Sequence, residues 1–456
     1  MKLIKLFSRE YSVQYTETSL RSVGPEARNH VPALLLSQCW LSEPPNETCY
    51  ADPKEWNTFL QTITTAFPPG ASTEGLINRF HTYGRQYIAT ATTSCLGNLK
   101  NLDTPKLVER YEDYQKALIL YSSYLWMGYL LNNIYTDRAK ALLDTRSIAH
   151  RDAVEAVLLS PSQRTGILEL QTELSRISTP ELSAEQIKKI LEKYGWMPCL
   201  DIHNNPWTAN DVQSFFASLK KPSELMPFAT AAELAGLTQK EQEWFGLVRE
   251  LVFVKDMRDE YRRKGVCAIL PLFDWIASQL DVTRTQLAYY TSEEIIAALQ
   301  NNSPLDPNTA NDRQKGFLIH WESNAVIATA DTKTIESFVL RNISINDLTS
   351  KNAVKGVCAS AGTATGLVRI VRGIQDLEKV RVGDIMVAVT THPDFVPAMH
   401  RAAAVVTDEG GLTSHAAIVS RELHIPCIVG TKIATSQFHD GDRVKVDATA
   451  GVITRL

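Results

Sequence analysis

The chain has 456 residues, of which 44% are hydrophobic and 21% are charged, and its formal net charge is −4. This length predicts two or three domains with ample core, and the composition is ordinary for a soluble protein. The slightly negative net charge gives no reason to expect nucleic acid as a partner, because nucleic-acid-binding proteins usually have a basic surface. The seven cysteines have no CxxC or CxxxC spacing, which argues against a disulfide framework and against a zinc site.

The first twelve residues contain two lysines but no apolar run long enough for a secretory signal. Residues 117–136 carry no charge and approach the length of a membrane span. Two serines and two asparagines lower the hydrophobicity of this stretch, and its flanks have no strong positive bias. We interpret it as the buried central helix of a bundle, with a membrane segment or an interface helix as alternatives. We therefore expect a cytoplasmic protein without membrane contact.

Residues 1–345 are predicted to be mainly helical. Within them, residues 40–54 are rich in proline, asparagine and aspartate and predict a loop. Pro105 predicts the start of a long helix that runs into the 140s, since proline is favoured at the first helical position. Trp196 and Trp207 lie in another predicted loop, where they either cover the end of a bundle or form part of a binding wall.

A second long helix is predicted over residues 238–264, with apolar residues at helical spacing. Its last third is densely charged, and Lys255, Arg258 and Arg262 share one face by their separations of three and four residues. This charged segment is interpreted either as a solvated helix end or as a basic stripe. A basic stripe could neutralise a phosphoryl group during its transfer.

Residues 316–330 predict a β-hairpin that turns at Ser323 and Asn324. Residues 334–341 predict a short helix, and the polar residues that follow predict a hinge. From residue 357 the pattern changes to short apolar runs typical of strands, at residues 368–371, 385–389, 403–406, 427–429 and 444–446, with helices at 395–401 and 413–423. We therefore predict a multidomain α+β protein with a mainly helical domain (1–345), a linker (346–356) and a small α/β domain (357–456).

The most informative motif lies within residues 407–430, TDEGGLTSHAAIVSRELHIPCIVG. Gly410 and Gly411 predict a tight turn without side chains. Thr413 is a plausible N-cap, which would put Ser414 and His415 in the first turn of a helix. The backbone N–H groups of such a turn favour an anion, above all a phosphate.

A histidine at this position suits covalent phosphoryl transfer. An imidazole is largely neutral at pH 7, so one ring nitrogen can act as a nucleophile, and a phosphoryl-imidazole divides one difficult transfer into two easier ones. The Thr413 hydroxyl could fix the tautomer of His415. The alternatives are a capping histidine or a metal ligand. Asp408 and Glu409, just before the glycines, are either functional carboxylates or turn-forming residues.

The run Gly-Gly-x-Thr-x-His, two small residues, two aliphatic residues, a small residue and Arg extends from Gly410 to Arg421. It resembles the phosphohistidine domain of phosphoenolpyruvate-utilising enzymes. The resemblance continues through Thr391-x-Pro393-Asp394 upstream and Asp440-Gly441-Asp442 downstream, and it covers about the last hundred residues. Relatives in this family include phosphoenolpyruvate synthase, pyruvate phosphate dikinase, the first enzyme of the sugar phosphotransferase system and rifampin phosphotransferase. The helical region has a more diffuse resemblance to the acceptor domain of rifampin phosphotransferase-like proteins.

The resemblance implies a swivelling β/β/α domain in which His415 is phosphorylated and Thr413 is its hydrogen-bonding neighbour. It also implies that Gly410, Gly411 and Ser414 position the phosphate, without a metal ligand in this chain. The sequence has no GxxxxGK[S/T] phosphate loop and no recognisable ATP-grasp blocks. We also expect no phosphoenolpyruvate-binding barrel after Leu456.

These features lead to the hypothesis of a split phosphotransferase. A separate ATP-grasp protein would bind ATP and Mg²⁺ and charge His415, and the helical domain would hold a small-molecule acceptor. Lys255, Arg258, Arg262, Trp196 and Trp207 are the candidate residues on the acceptor side. The alternatives are a non-catalytic phosphocarrier whose helical region docks a partner protein, and a degenerate, inactive relative.

Overall fold

A computed structural model describes residues 2–43, 46–177, 179, 181–218, 226–322, 325–343, 353–412 and 414–456. Within these ranges the helices are α1 (Val13–Ser22), α2 (Pro53–Ala66), α3 (Ala71–Ser94), α4 (Thr104–Asp144), α5 (Arg151–Leu158), α6 (Gly166–Leu174), α7 (Ala184–Tyr194), α8 (Ala209–Ser218), α9 (Phe228–Leu234), α10 (Gln239–Gln279), α11 (Arg284–Leu287), α12 (Ser292–Gln300), α13 (Pro307–Lys315), α14 (Thr332–Asn342), α15 (Val396–Arg401), α16 (His415–Glu422) and α17 (Ala434–Gln437).

The described strands are β1 (Ile4–Arg9), β2 (Cys39–Glu43), β3 (Asn46–Ala51), β4 (Leu318–Glu322), β5 (Ala325–Thr329), β6 (Ala353–Lys355), β7 (Val357–Ser360), β8 (Thr363–Val371), β9 (Ile385–Ala388), β10 (Ala404–Thr407), β11 (Cys427–Val429), β12 (Arg443–Asp447) and β13 (Val452–Arg455). The helices dominate the first three quarters of the chain and the strands concentrate in the last quarter. The predicted α+β class is therefore confirmed.

The chain divides into two compact units. The first comprises Met1–Leu131, Gly195–Trp207 and Val254–Asn346, and the second comprises Asn132–Tyr194, Thr208–Phe253 and Asp347–Leu456. This division differs from the predicted boundaries, because part of the helical region groups with the C-terminal residues. Of the predicted linker, residues 346–352 lie outside the described residues, and residues 353–355 form strand β6. The functional boundaries at 345 and 357 stay predictions.

The prediction of a loop over residues 40–54 is wrong. The described residues of this range include β2, β3 and the start of α2, and the two strands belong to an antiparallel sheet with the order β1-β3-β2-β4-β5. Trp40 pairs with Ile319 in this sheet, and both side chains are buried in one core cluster with Phe317. The strands are held by partners from distant parts of the chain, which the local composition does not reveal.

The predicted hairpin and the short helix after it are confirmed. Strands β4 and β5 pair antiparallel, from Leu318 with Thr329 to Glu322 with Ala325. The predicted turn residues, Ser323 and Asn324, lie outside the described residues.

The uncharged stretch at residues 117–136 lies inside α4 and is largely buried, as the bundle interpretation predicted. Tyr121, Met127 and Leu131 are fully buried in this stretch. The buried Ser123 hydroxyl donates to the carbonyl of Ile119 at 3.0 Å, so the helix accommodates this polar group locally. In the part of the chain that the structure describes, no helix is long and apolar enough to cross a membrane.

The sheet of the second unit positions the candidate site. Its described strands follow the order β6-β13-β12-β8-β9-β10-β11-β7, and neighbours from β8 through β11 run parallel. The predicted strands correspond to β8, β9, β10, β11 and β12, and the predicted helices to α15 and α16, so these predictions are confirmed. The hydrophobic core that packs on this sheet is mostly aliphatic and includes Val387, Val406 and Ile428.

The close packing of α3 against α10 in the first unit can be tested by substitution of a glycine at their contact. A Cβ atom on Gly265 would lie 2.1 Å from the buried ring of Tyr87. We expect Gly265→Ala to lower the free energy of unfolding by about 1–3 kcal/mol, the usual cost of overpacking a core. The measurement is denaturant unfolding followed by circular dichroism.

Gly246 lies in the same helix and offers a matched control, because a Cβ there would meet nothing within 4 Å. Gly246→Ala should stabilise the helix by about 0.5–1 kcal/mol. Equal effects of the two substitutions would contradict the close contact between Gly265 and Tyr87.

Candidate functional site

Two loops meet at one edge of the second unit's sheet. Strands β9 and β10 are parallel, so the loops that follow them leave from the same edge. Backbone hydrogen bonds continue beyond the strands, from the Asp408 N–H to the Ala388 carbonyl at 3.0 Å and from the Glu409 N–H to the Val389 carbonyl at 2.9 Å. This pairing holds the loop after β9 beside the glycine loop after β10, and α16 begins at the end of the glycine loop.

The two glycines of this loop have different structural requirements. Gly410 has φ of +108°, and a Cβ atom on it would lie 2.8 Å from Cβ of Ser414. Gly411 is exposed, and a Cβ atom there would meet nothing within 4 Å. The tight turn predicted from the glycine pair therefore depends on Gly410.

Helix α16 begins one residue later than predicted. Ser414 is the N-cap, with an extended backbone, and its hydroxyl accepts a hydrogen bond from the Ala417 N–H at 3.3 Å. The prediction of Thr413 as the N-cap is therefore wrong. Threonine and serine can both cap a helix, and the chain uses Ser414. Thr413 itself lies outside the described residues. Its predicted role beside His415 and the phosphate-positioning roles of Gly410, Gly411 and Ser414 stay predictions.

His415 is the first residue of α16 and is partly exposed. Its backbone N–H and that of Ala416 are in the helical turn whose amides have no intrahelical acceptor. These amides and the positive end of the helix dipole favour an anion next to the imidazole. The position is therefore suitable for a histidine that carries a phosphoryl group.

Thr391 contacts the imidazole directly. Its Oγ1 lies 3.0 Å from Nδ1 of His415, and the threonine side chain is buried, with 4% exposed. When Nδ1–H donates to this oxygen, the lone pair of the neutral ring is on Nε2, so Nε2 is the nitrogen that can act as a nucleophile. Sequence analysis included Thr391 in the family resemblance but gave it no role. Only the fold brings it to His415.

Two further residues hold the loops in place. The Arg421 guanidinium donates from Nη1 to the Ala359 carbonyl at 3.2 Å and from Nη2 to the Leu412 carbonyl at 2.7 Å. Burial lowers the pKa of Arg421 below its ordinary value. The Asp408 carboxylate accepts hydrogen bonds from the Thr431 hydroxyl at 2.9 Å and from the Thr435 N–H. Asp408 therefore has a structural position, which agrees with its interpretation as a turn residue.

Among the described residues, no group of three or more histidine, cysteine, aspartate or glutamate side chains is arranged to hold a metal ion. The imidazole of His415 thus has a hydroxyl neighbour at Nδ1 and no surrounding set of metal ligands within the described ranges.

The basic residues predicted for the acceptor side lie in the first unit. The interpretation of their segment as a solvated helix end is wrong, because α10 continues to Gln279 and Arg262 is only 2% exposed. Arg262 lies over the rings of Tyr11 and Tyr15, with its Cζ 5.1 and 4.5 Å from their centroids. Burial disfavours the charged form of the Lys255 ammonium and is the main reason why its pKa is lowered to about 7.

Of the three predicted basic residues, Arg258 lines a cleft in this unit. The other walls of the cleft include aromatic side chains of β1, α1, β2 and α4. The predicted loop residues Trp196 and Trp207 are half-buried, and the Lys264 ammonium lies 4.9 Å from the Trp196 ring. Neither tryptophan lines the cleft of Arg258. A role for these two residues on the acceptor side stays a prediction.

A parallel strand pair, a glycine turn and a histidine at the start of a helix are the features that the structure brings together near the C-terminal end. Residues 380–451 match the family described as PEP-utilising enzyme, mobile domain, and this match confirms the family resemblance that the sequence motif predicted.

Curated relatives support the same assignment. The chain is 43% identical over 150 residues to a probable phosphoenolpyruvate synthase of Pyrococcus abyssi, covering 33% of this chain and 18% of that protein. It is 54% identical over 100 residues to a probable phosphoenolpyruvate synthase of Methanothermobacter thermautotrophicus, covering 22% and 15%. It is also 25% identical over 317 residues to the uncharacterized phosphotransferase YvkC of Bacillus subtilis, covering 63% and 38%. The matches thus span less than half the length of each of these relatives.

The glycine loop gives the first prediction for the site. We expect Gly410→Ala to lower the free energy of unfolding by about 1–3 kcal/mol, because alanine is strained at φ of +108° and its Cβ meets Ser414. Gly411→Ala should change it by less than about 0.5 kcal/mol. Differential scanning calorimetry of both variants is the measurement, and a larger loss for Gly411→Ala would contradict the assignment.

The hydrogen bond between Thr391 and His415 gives a second prediction. Thr391→Val removes the oxygen that faces Nδ1, so the ring should redistribute between its two tautomers, whereas Thr391→Ser should keep the wild-type distribution. The measurement is the ¹⁵N chemical shifts of the His415 ring across a pH titration. Identical shifts in the valine variant and the wild type would contradict a positioning role of Thr391.

Proposed function

We propose that the chain is the phosphohistidine-carrying component of an ATP-dependent phosphotransferase. His415 would be phosphorylated on Nε2 and would pass the phosphoryl group to a small-molecule acceptor held in the helical region. The observation that carries this proposal is the 3.0 Å contact between Thr391 and Nδ1 of His415, at the first position of α16. The membership of residues 380–451 in the mobile-domain family and the names of the relatives support it.

The proposed reaction has two substitutions at phosphorus. In the first, the Nε2 lone pair attacks the donor phosphorus, a new P–N bond forms and the P–O bond to the nucleotide breaks with the leaving oxygen keeping its electrons. The Nδ1–H of the resulting ring donates to Thr391 Oγ1 and disperses the positive charge. In the second, an acceptor oxygen attacks phosphorus, the P–N bond breaks and the acceptor proton leaves to solvent.

The chain's own residues contribute positioning and charge in this scheme. The backbone amides in the first turn of α16 would bind the phosphoryl oxygens, and Gly410 would let the loop approach them without a side chain. Arg421 would keep the loop in place through the Leu412 carbonyl. ATP and Mg²⁺ are assigned in this proposal to an ATP-grasp partner subunit, where Mg²⁺ would neutralise charge on the phosphates.

The alternative is a non-catalytic phosphocarrier whose helical region docks another protein. Small molecules usually bind in concave, mostly apolar clefts with a few polar groups, whereas a docking surface for another protein is flatter. The cleft that contains Arg258 therefore favours the enzyme over the carrier.

Phosphorylation at His415 is the decisive test. The full chain is incubated with ATP, Mg²⁺ and an ATP-grasp protein of the same organism, and separately with phosphoenolpyruvate, and is then analysed by mass spectrometry under alkaline conditions. We expect an acid-labile phosphoryl group on His415, and none in His415→Gln. His439→Gln is the matched control, because that imidazole is highly exposed and lies elsewhere in the second unit.

Retention of the acid-labile group in His415→Gln would overturn the proposal. So would its absence from the wild-type chain with every donor tested. Labelling by phosphoenolpyruvate alone would keep His415 as the carrier residue and would refute the assignment of an ATP-grasp partner.

A further inference from the structure

Two thiols of the first unit lie in contact, although they are far apart along the chain. Cys199 belongs to the loop Gly195–Trp207 and Cys267 belongs to α10, and their side chains share a hydrogen bond. All seven cysteines are thiols in this structure rather than halves of disulfides. The spacing of the cysteines in the sequence gave no sign of this pair, because only the fold brings the two sulfurs together.

A second contact places the same turn of the loop on the same stretch of α10. The Lys264 ammonium lies 4.9 Å from the centroid of the Trp196 ring, and each of these residues is three positions before one of the two cysteines. The Cys199 N–H donates to the Trp196 carbonyl at 3.0 Å, so both loop residues belong to one turn. Helical residues three positions apart share a face. The turn that carries Cys199 therefore lies along the face of α10 that carries Cys267.

Hydrogen bonds hold this loop in place around Cys199. The Trp207 N–H donates to the Gly195 carbonyl at 2.9 Å and closes the loop at its base. The Arg284 guanidinium donates from Nη1 to the Asn204 carbonyl at 2.9 Å, within the loop. The two sulfurs are thus kept close by the backbone around them, and a bond between thiols that already touch requires little movement of the chain.

The two thiols differ in their exposure and in their ionisation. Cys199 is buried, with 0% exposed, whereas Cys267 is half-buried. The hydrogen bond from Cys199 holds the pKa of Cys267 below its ordinary value. The same hydrogen bond, together with burial, raises the pKa of Cys199. Because the thiolate is the reactive form of cysteine, Cys267 is the thiol that meets an oxidant first, and Cys199 is the second thiol beside it.

We propose that Cys199 and Cys267 form a reversible oxidation site, at which hydrogen peroxide converts the two thiols into an intramolecular disulfide. Cys267 is the attacking thiol and Cys199 is the resolving thiol. A reduced dithiol restores the pair when its thiolate attacks one sulfur of the disulfide, the S–S bond breaks and the second thiol of the reductant then releases the mixed disulfide. This site does not rest on the proposed function of His415.

The oxidation has two steps. In the first, the Cys267 thiolate attacks one oxygen of the peroxide, an S–O bond forms and the O–O bond breaks. The leaving hydroxide keeps the electron pair and takes up the proton that Cys267 lost, which gives water and a sulfenic acid. In the second, the Cys199 sulfur attacks the Cys267 sulfur, an S–S bond forms and the S–O bond breaks. The leaving hydroxide takes the Cys199 proton, so the two electrons lost by the thiols reduce the peroxide to two waters.

A disulfide at this site would connect two passages of the chain through the first unit. The chain leaves this unit after Trp207 and returns to it at Val254. A bond between Cys199 and Cys267 closes the intervening segment into a covalent loop, which lowers the entropy of the unfolded chain. We therefore expect the oxidised protein to have a higher midpoint of thermal unfolding than the reduced protein, and dithiothreitol to reverse the shift.

The test treats the reduced full chain with increasing concentrations of hydrogen peroxide, blocks the remaining thiols with N-ethylmaleimide and digests the protein with trypsin without a reductant. The tryptic peptides 194–220 and 265–284 each contain one of the two cysteines and no other. We expect mass spectrometry to find these two peptides joined with the loss of two hydrogen atoms, and to find them separate after dithiothreitol.

Substitutions separate the roles of the two thiols. In Cys199→Ser the resolving thiol is absent, so the sulfenic acid at Cys267 should persist and react with dimedone, and Cys199→Ala should behave in the same way. Cys267→Ser should give neither the joined peptides nor a dimedone label at Cys199, because the remaining thiol is buried. Cys95→Ser is the matched control, since Cys95 is also a half-buried thiol of the first unit but has Leu272 and Arg110 as neighbours. This variant should form the disulfide as the wild type does, and circular dichroism verifies that each variant is folded.

Two outcomes in the wild type would overturn the inference. These are the absence of the joined peptides at every peroxide concentration, and the joining of Cys267 to a cysteine other than Cys199. Equal dimedone labelling of Cys199→Ser and Cys267→Ser would refute the assignment of the attacking and resolving thiols. His415→Gln should form the disulfide normally, so failure of the proposed phosphoryl transfer leaves this site intact.

Discussion

The parallel alignment of β9 and β10 is the constraint on which the candidate site depends. Thr391 and His415 are separated along the chain, and neither β9 nor β10 alone could bring their side chains to 3.0 Å. The alignment places the carboxyl ends of both strands at one edge, and the hydrogen bonds of Asp408 and Glu409 keep the loops in register beyond the strands. The imidazole is thus oriented by an adjacent strand loop as well as by its own helix.

Sequence reasoning succeeded where the signal is local. The strands β9, β10 and β11 are continuous buried apolar runs, which is the pattern of a parallel sheet covered on both faces. The glycine turn and the presence of a helix directly after it follow from neighbouring residues. The N-cap was misplaced by one position because the chain offers adjacent hydroxyl residues, and only the backbone conformation selects Ser414.

Sequence reasoning failed where partners come from distant segments. The strands β2 and β3 are stabilised by β1 and β4, so turn-forming composition misled the prediction for residues 40–54. The spacing of Lys255, Arg258 and Arg262 correctly placed them on one helical face, but not their burial. Arg262 is covered by tyrosines of the N-terminal segment, and Arg258 joins aromatic residues of α4 and β1 in a cleft.

Arg421 shows how a motif position can be constrained by the backbone. Its planar guanidinium reaches two carbonyls in different directions, one in β7 and one in the glycine loop. A lysine has one ammonium on a flexible stem and cannot reproduce this fork. Over evolutionary time, the residues around Arg421 should therefore be replaced more readily than Arg421 itself. Even lysine, which carries the same charge, should be a poor substitute at position 421.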